Sequence, residues 1–340
     1  MNAFSIITAH LSTFLIGIIL ISSTIFSTAF IECIYEDVLF PSCIPCTELQ
    51  WNIIIVSLLG GAVLGSVMFR NTKPVVQLRI ADEFIILGLI GLLSSFSYPL
   101  IVGSRFCMGL GLGLVSTSVL MYFKQTKHNK FYLFIISLGY LIGQLLSLLK
   151  WKLGISIILL YTIIHRIMLQ YISDPISDKD AITPSHPIFN ITCFHIIQQF
   201  TCFLPLLIYQ FDYKYCLFLS LTSFVALFIK IRKKILLIIS LIITILALIV
   251  LSTNFPFGVG GFLFIIGYSL GIGSIPYFML EKFSYEETNK QKYIMSMNWL
   301  SGLIIVYLFP ICYAKAGNNM FLFMSGLISI SSISMILRSI

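Results

Sequence analysis

The stretch GSRFCMGLGLGLVSTSVLMY, from Gly103 to Tyr122, decides the fold. It carries one charge, Arg105, in a run long enough to cross a bilayer, which takes roughly 20 apolar residues. Glycines at 109, 111 and 113 would let neighbouring helices approach closely, and plain helix packing is enough to explain them. Arg105 is different, because an arginine inside a span needs a carboxylate, a carbonyl or a helix end to offset its charge.

Runs of the same kind recur along the chain. They predict spans at 4–30, 50–69, 81–97, 98–123, 130–149, 151–173, 188–210, 214–230, 234–252, 257–281, 291–314 and 318–338. The expected fold class is an all-α polytopic membrane protein with twelve transmembrane helices. A polar linker at 174–187 holds Asp174, Pro175, Asp178, Lys179, Asp180, Pro184 and Pro187. It divides the chain into an N-terminal six-helix half, 1–173, and a C-terminal six-helix half, 188–340. Composition agrees: of 340 residues, 58% are hydrophobic and only 10% charged, and the mean hydropathy is +1.01. So few charges cannot cover a soluble surface. A net charge of +8 would suggest nucleic acid in a soluble chain. Here the basic residues sit in short loops between apolar runs, so the expected partner is the lipid bilayer and not nucleic acid. The first apolar run has no basic residue before it and reads as a retained span, not a signal peptide.

Twelve spans place both termini on one side. Fifteen Lys and Arg residues then fall in loops on that side, against Lys150, Lys152, Lys214 and Lys315 on the other. The excess predicts cytoplasmic termini. The first outer loop, 32–50, carries Cys33, Cys43 and Cys46, which permit one disulfide or three free thiols; a zinc site would need about four ligands. The other five cysteines lie in spans and suit packing. The glycosylation pattern at Asn190-Ile191-Thr192 falls at the cytoplasmic start of a span and should be silent.

Polar groups inside spans are costly and mark where function can sit. The fifth span holds Gln144 and the seventh holds Gln198 and Gln199, followed by Thr201. Each amide offers two donors and an acceptor, which suits either a sugar hydroxyl or a bond between helices. The tenth span reads GIGSIPYF from Gly271 to Phe278. Gly271, Gly273 and Pro276 would interrupt its hydrogen-bond ladder, as a simple kink or as a broken helix lining a cavity. The eleventh span carries Asn298, Trp299 and Ser301.

These pieces, in this order, resemble the sugar porter family of the major facilitator superfamily, which includes the facilitative glucose transporters. Gly103 to Tyr122 is similar to the family's fourth-helix pattern of arginine, spaced glycines and tyrosine. Gln144 falls on its fifth-helix glutamine and Gln198-Gln199 on its seventh-helix pair. Gly271 to Phe278 falls on its tenth-helix signature, with Tyr277 at the tryptophan, and Asn298-Trp299 on its eleventh-helix pair. Trp51, Gly60, Gly61, Gly65 and Ser66 look like its second helix. The family's cytoplasmic signature after that helix is shortened to Arg70-Asn71-Thr72-Lys73, and its twin survives as Lys230-Ile231-Arg232-Lys233-Lys234. Gln125 stands where the family has a glutamate, Leu120 where it has a proline, and Leu204 where it has an asparagine, while Glu281 matches a family glutamate if one residue is deleted.

The resemblance implies a pseudo-symmetric six-plus-six fold that moves a hexose by alternating access. Gln144, Gln198, Gln199 and Asn298 would bind sugar hydroxyls, with Trp299 and Tyr277 facing the ring. Arg105, Gln125, Arg232 and Glu281 would form a weakened cytoplasmic latch, with Arg105 held by loop carboxylates or carbonyls at that face. The first span, Ala3 to Phe30, contains no carboxylate, and the only titratable side chain read there is His10. The family's proton-coupled members pair a first-helix aspartate with the fourth-helix arginine, so facilitated diffusion is the expectation and a proton-coupled transporter, with His195 of the seventh span as the first candidate carrier, the alternative. A sugar sensor on this fold would need a long cytoplasmic tail, and Ile340 follows the last span closely. An anion carrier would want a basic residue in the cavity, for which Arg105 and Arg166 are the candidates; both read instead as latch or snorkelling residues. No cofactor, metal or covalent chemistry is expected, and a monomer in the plasma membrane is.

Overall fold

In the computed structural model, residues 3–35, 47–69, 72–94, 97–124, 131–173, 188–201, 203–253, 256–280 and 288–338 are described, and they are helical with short turns. The helices before the linker are α1 (Ala3–Tyr35), α2 (Glu48–Met68), α3 (Pro74–Leu93), α4 (Tyr98–Lys124), α5 (Tyr132–Leu146) and α6 (Trp151–Met168). After it come α7 (Ile188–Phe200), α8 (Phe203–Tyr209), α9 (Tyr213–Ala226), α10 (Lys233–Ser252), α11 (Phe257–Gly267), α12 (Ile275–Leu280), α13 (Thr288–Ala316) and α14 (Asn319–Arg338). Local chemistry sets the ends. Thr47 and Gln50 form a reciprocal capping box at the start of α2, Pro74 opens α3, and Asp212 caps α9.

Eight segments of the described residues are long and apolar enough to span a bilayer, with α7–α8 and α11–α12 each counted as one. That is fewer than the expected twelve, for physical reasons. The α5 helix and the apolar part of α14 are short, α9 has 14 residues, and α3 carries Arg79, Asp82 and Glu83 within its 20. The third span was expected at 81–97, yet α3 begins at Pro74. Gln77 folds back there, donating from Nε2 to the carbonyls of Thr72 (2.7 Å) and Phe69 (3.2 Å). Asp82 and Glu83 therefore lie two turns inside the helix and not at its margin.

Glycines set the packing before the linker. A Cβ on Gly61, Gly65, Gly109 or Gly113 would overlap a backbone carbonyl of the partner helix across the α2–α4 contact. Gly111 faces α3 instead, and Gly17 and Gly139 do the same work between α1 and α5. The α2 helix also runs along α13, and α5 along α9; these two pairs join the helices on either side of the linker. The ring of His10 in α1 lies 4.5 Å from that of Phe123 in α4, so α1 begins at the level where α4 ends.

Candidate functional site

The tenth predicted span is broken. Helix α11 stops at Gly267, and residues 268–272 wind into a π turn closed by the Gly273 N–H on the Tyr268 carbonyl (2.8 Å). Such a turn leaves backbone groups short of partners, which a membrane interior penalises. Ser240 of α10 supplies them: its hydroxyl donates to the Gly267 carbonyl (2.6 Å) and accepts from the Ile272 N–H (2.9 Å). Gly271 lets Ser240 come this close, and Pro276, which lacks an N–H, sits in the first turn of α12 where none is needed.

Against this break lies the end of α7. Gln198 Nε2 donates to the Tyr268 hydroxyl and to the Gly273 carbonyl, both at 3.3 Å. Gln199 Nε2 donates to Asn298 Oδ1 of α13 at 2.9 Å. Gly302, one turn beyond Asn298, leaves room for Gln199, whose Oε1 would be 3.2 Å from a Cβ there. Rings close the surroundings: His195 meets Tyr277 edge-on at 5.2 Å, Tyr132 lies 4.8 Å from Tyr277, and Phe203 stacks on Tyr268 at 3.9 Å with Tyr140 beyond it. The structure thus brings together Gln198, Gln199, Asn298 and Tyr277 with the broken-helix residues Gly271, Gly273 and Pro276. Gln198 Oε1 is buried with no hydrogen-bond partner, while Asn298 Nδ2 and the ring nitrogens of His195 make no close hydrogen bond and interact only loosely, His195 with Asn298 and the Pro276 backbone and Tyr277 with Asn298 and Gln198. They include an acceptor and a donor, and the contacts just described involve no charged side chain.

Trp299 is buried and not an interfacial anchor; its Nε1 donates to Ser116 Oγ of α4 at 3.1 Å, across the two sides of the linker. Gln144 spends its amide elsewhere, on the Phe211 carbonyl at 3.2 Å. The rings of Phe211, Phe264, Tyr268 and Phe203 run in sequence from that bond to Gln198. Tyr268 and Ser240 carry no signal in the sequence, since single hydroxyls and rings in apolar helices resemble ordinary packing.

Arg105 is corrected. It lies two turns from Tyr98, at the opposite end of α4 from Lys124 and the expected latch, and it is 1% exposed. Its Nη1 donates to Ser22 of α1 at 2.5 Å, and no carboxylate pairs with it among the described residues. Gln125 and Glu281 lie outside the described residues. Arg232 is exposed at the start of α10. At the level of that latch, the buried Lys292 of α13 donates from Nζ to the Phe69 carbonyl at the end of α2, and Ser296 donates to the Val63 carbonyl at 3.1 Å.

Neither a family model nor a curated protein matches this sequence. Solved structures do. The xylose transporter of E. coli in a partially occluded inward-open conformation aligns over 98% of this chain and 98% of its own, at 14% identity and a TM-score of 0.79. The fucose:proton symporter of E. coli aligns over 99% of each chain, at 12% identity and 0.64, and a human organic anion transporter over 98% and 100%, at 12% and 0.70. The chain has the fold of a major facilitator transporter. That fold, with eight helices long and apolar enough to cross a bilayer, makes it a multi-pass membrane protein. The π turn lies in the tenth span predicted for that fold, and the amide cluster spans the seventh, tenth and eleventh.

Proposed function

We infer that the protein carries a neutral sugar, a hexose of the glucose type, across a membrane by alternating access. The observation that carries this reading is the amide cluster at the helix break, where Gln198 Oε1 is buried without a hydrogen-bond partner and Asn298 and His195 make only loose contacts with each other. A hydroxyl donates and accepts at once, so a polyol can meet all three groups, and a buried acceptor such as Gln198 Oε1 left unpaired costs about 1–3 kcal/mol. The flanking Tyr277 and Tyr268 rings suit the apolar faces of a sugar. The absence of charge from the cluster's contacts favours a neutral solute over an organic anion. The three solved structures support transport, two of them by being named as sugar transporters.

In the finer reading, twelve helical segments cross the membrane as two six-helix halves, 1–173 and 188–340, rocking about the midplane site. Both termini are cytoplasmic, the membrane is the plasma membrane, and the working unit is a monomer without cofactor. Gln198, Gln199, Asn298, Tyr277 and Trp299 bind the sugar. Gln144 holds α5 to the turn before α9 and joins the sugar in another state of the cycle. The broken helix at Gly271, Gly273 and Pro276 forms the hinge. Lys292 on the Phe69 carbonyl takes the role first given to Gln125, Arg232 and Glu281. Arg105 faces Ser22 where a coupling carboxylate would be wanted, which supports facilitated diffusion. The second reading, proton-coupled uptake, draws on His195, buried against Tyr277 in the cluster.

One experiment separates them. Purified protein in proteoliposomes should equilibrate labelled D-glucose or D-xylose without a pH gradient, and unlabelled sugar inside should speed entry by exchange. Accumulation above equilibrium under an imposed pH difference would refute facilitated diffusion in favour of coupling. Failure to move any of a panel of hexoses and pentoses would refute sugar transport.

A further inference from the structure

The geometry points to a proton-binding site at Asp82 and His165 that senses pH at the side where α1 begins and sets the rate of transport without driving it. Asp82 of α3 and His165 of α6 are 0% and 1% exposed, and His165 Nδ1 lies 2.7 Å from Asp82 Oδ2. On the other side of the ring, Nε2 lies 2.9 Å from Ser12 Oγ and 3.3 Å from the Thr8 carbonyl, both in α1. This setting serves either charge state of the imidazole. Neutral, it takes the Ser12 hydroxyl proton at Nε2; charged, it donates to Ser12 or to the Thr8 carbonyl, and the Ser12 hydroxyl turns to that same carbonyl (3.3 Å). Asp82 Oδ1 is buried with no partner, an acceptor held open where a further proton can land.

Protons have a short way in. The next residue on each helix, Glu83 and Arg166, forms a 2.7 Å ion pair whose side chains are 55% and 24% exposed. The buried pair therefore sits one residue behind a partly exposed ion pair, with His165 in the last turn of α6 and Ser12 and Thr8 near the start of α1. Symport needs a carrier group that opens to both sides in turn. A group reached from one side can change a rate but cannot couple a gradient. The other titratable or charged neighbours are otherwise engaged: Tyr161 stacks on His165 with its hydroxyl on the Leu11 carbonyl, Arg79 holds the Leu169 carbonyl, and His10 packs against Phe123 and Phe131.

The site ties three helices, and α1 packs in turn on α4 and α5 and reaches α8 beside the amide cluster. A second proton neutralises Asp82 and leaves a buried imidazolium without its counter-charge, which loosens α3 and α6 from α1. Acid should therefore slow the cycle. The rate statement rests on the transport reading above; proton binding does not.

Two measurements keep them apart. In a pH-difference infrared spectrum, acidification should raise a protonated-carboxyl band from a water-poor site, absent in Asp82→Asn and moved in pH by His165→Gln. Sugar exchange in proteoliposomes with equal pH on both sides should fall in the wild type over the pH range in which that band rises. It should be flat over that range in Asp82→Asn, shifted in Ser12→Ala, and unchanged from wild type in His10→Gln. A carboxyl band that persists in Asp82→Asn would overturn the proton site. Identical rate profiles in wild type and Asp82→Asn would overturn its control of rate. Gradient-driven accumulation abolished by Asp82→Asn would make it a coupling site instead. The band without any sugar movement would leave the proton site standing and sink the transport reading.

Discussion

Helix α4 and the α11–α12 segment are both glycine-rich, and they use glycine in opposite ways. In α4 the glycines at 109 and 113 put the chain against the backbone of α2, and the helix runs unbroken from Tyr98 to Lys124. In the segment from Phe257 to Leu280 the chain is broken at 268–272, and Gly271 faces the side chain of Ser240. The first arrangement has no slack, because a backbone carbonyl cannot turn aside. The second is a break with its backbone groups satisfied by a hydroxyl that can be matched or lost. Rigid scaffold and adaptable site are thus assigned to different sides of the linker, and the loosely held polar atoms of the amide cluster lie beside the break and not beside α4.

The largest expected effect breaks the scaffold side. Gly109→Val places a branched side chain on the Leu58 carbonyl of α2, and the helices would have to separate. No monodisperse protein should survive detergent extraction. Gly271→Ala should still yield folded protein, because its overlap is shallow, with Ser240 Cβ at 2.8 Å and the Leu236 carbonyl at 3.2 Å, and a small shift of α10 relieves it. Size-exclusion chromatography of the two variants tests the contrast; equal yields would mean that the two glycine sets do the same work.

Much of the scaffold was legible in the sequence, because long apolar runs and small-residue spacing report directly on membrane helices. Helix α3 was not, since Arg79, Asp82 and Glu83 look like the end of a span until Gln77 is seen capping the turn before them. The amides at 198, 199 and 298 stood out as polar groups in apolar runs. Their neighbours did not: Tyr268 sits in a helix where a tyrosine signals nothing, and its role comes from a bond to a residue 70 positions earlier. The Asp82–His165 contact joins residues 83 apart. For Arg105 the sequence suggests a carboxylate, a carbonyl or a helix end as partner, whereas the structure supplies the hydroxyl of Ser22, which looks like any other serine in an apolar run.

An intermediate effect should come from the site side. Gln198→Leu removes the donor to Tyr268 and Gly273 and the unpaired Oε1 together. Sugar affinity should weaken by about 1–2 kcal/mol, or roughly five- to thirtyfold, with extraction yield unchanged. If affinity holds while yield falls, Gln198 is a brace for the π turn and not a ligand. That result would move the function of the break from binding to structure and remove half of the contrast with α4.

The smallest effect is expected where the two regions meet. Trp299 of α13 donates to Ser116 of α4, and Ser116 itself donates to the Gly113 carbonyl one turn back (2.9 Å). Ser116→Ala removes the acceptor and leaves the indole N–H buried, whereas Trp299→Phe removes the donor and leaves a hydroxyl that keeps its bond to Gly113. The stranded donor is the costlier loss, by about 1 kcal/mol. Because the bond crosses from one set of helices to the other, its loss should alter how fast the halves exchange positions more than how tightly either holds sugar. Exchange rates should therefore change by no more than about tenfold in Ser116→Ala and less in Trp299→Phe, with affinity nearly constant in both. A large loss of affinity in Trp299→Phe would show that the ring itself faces the sugar. A loss of yield in both would show that α4 and α13 are held together throughout the cycle, and the scaffold would then extend across the linker.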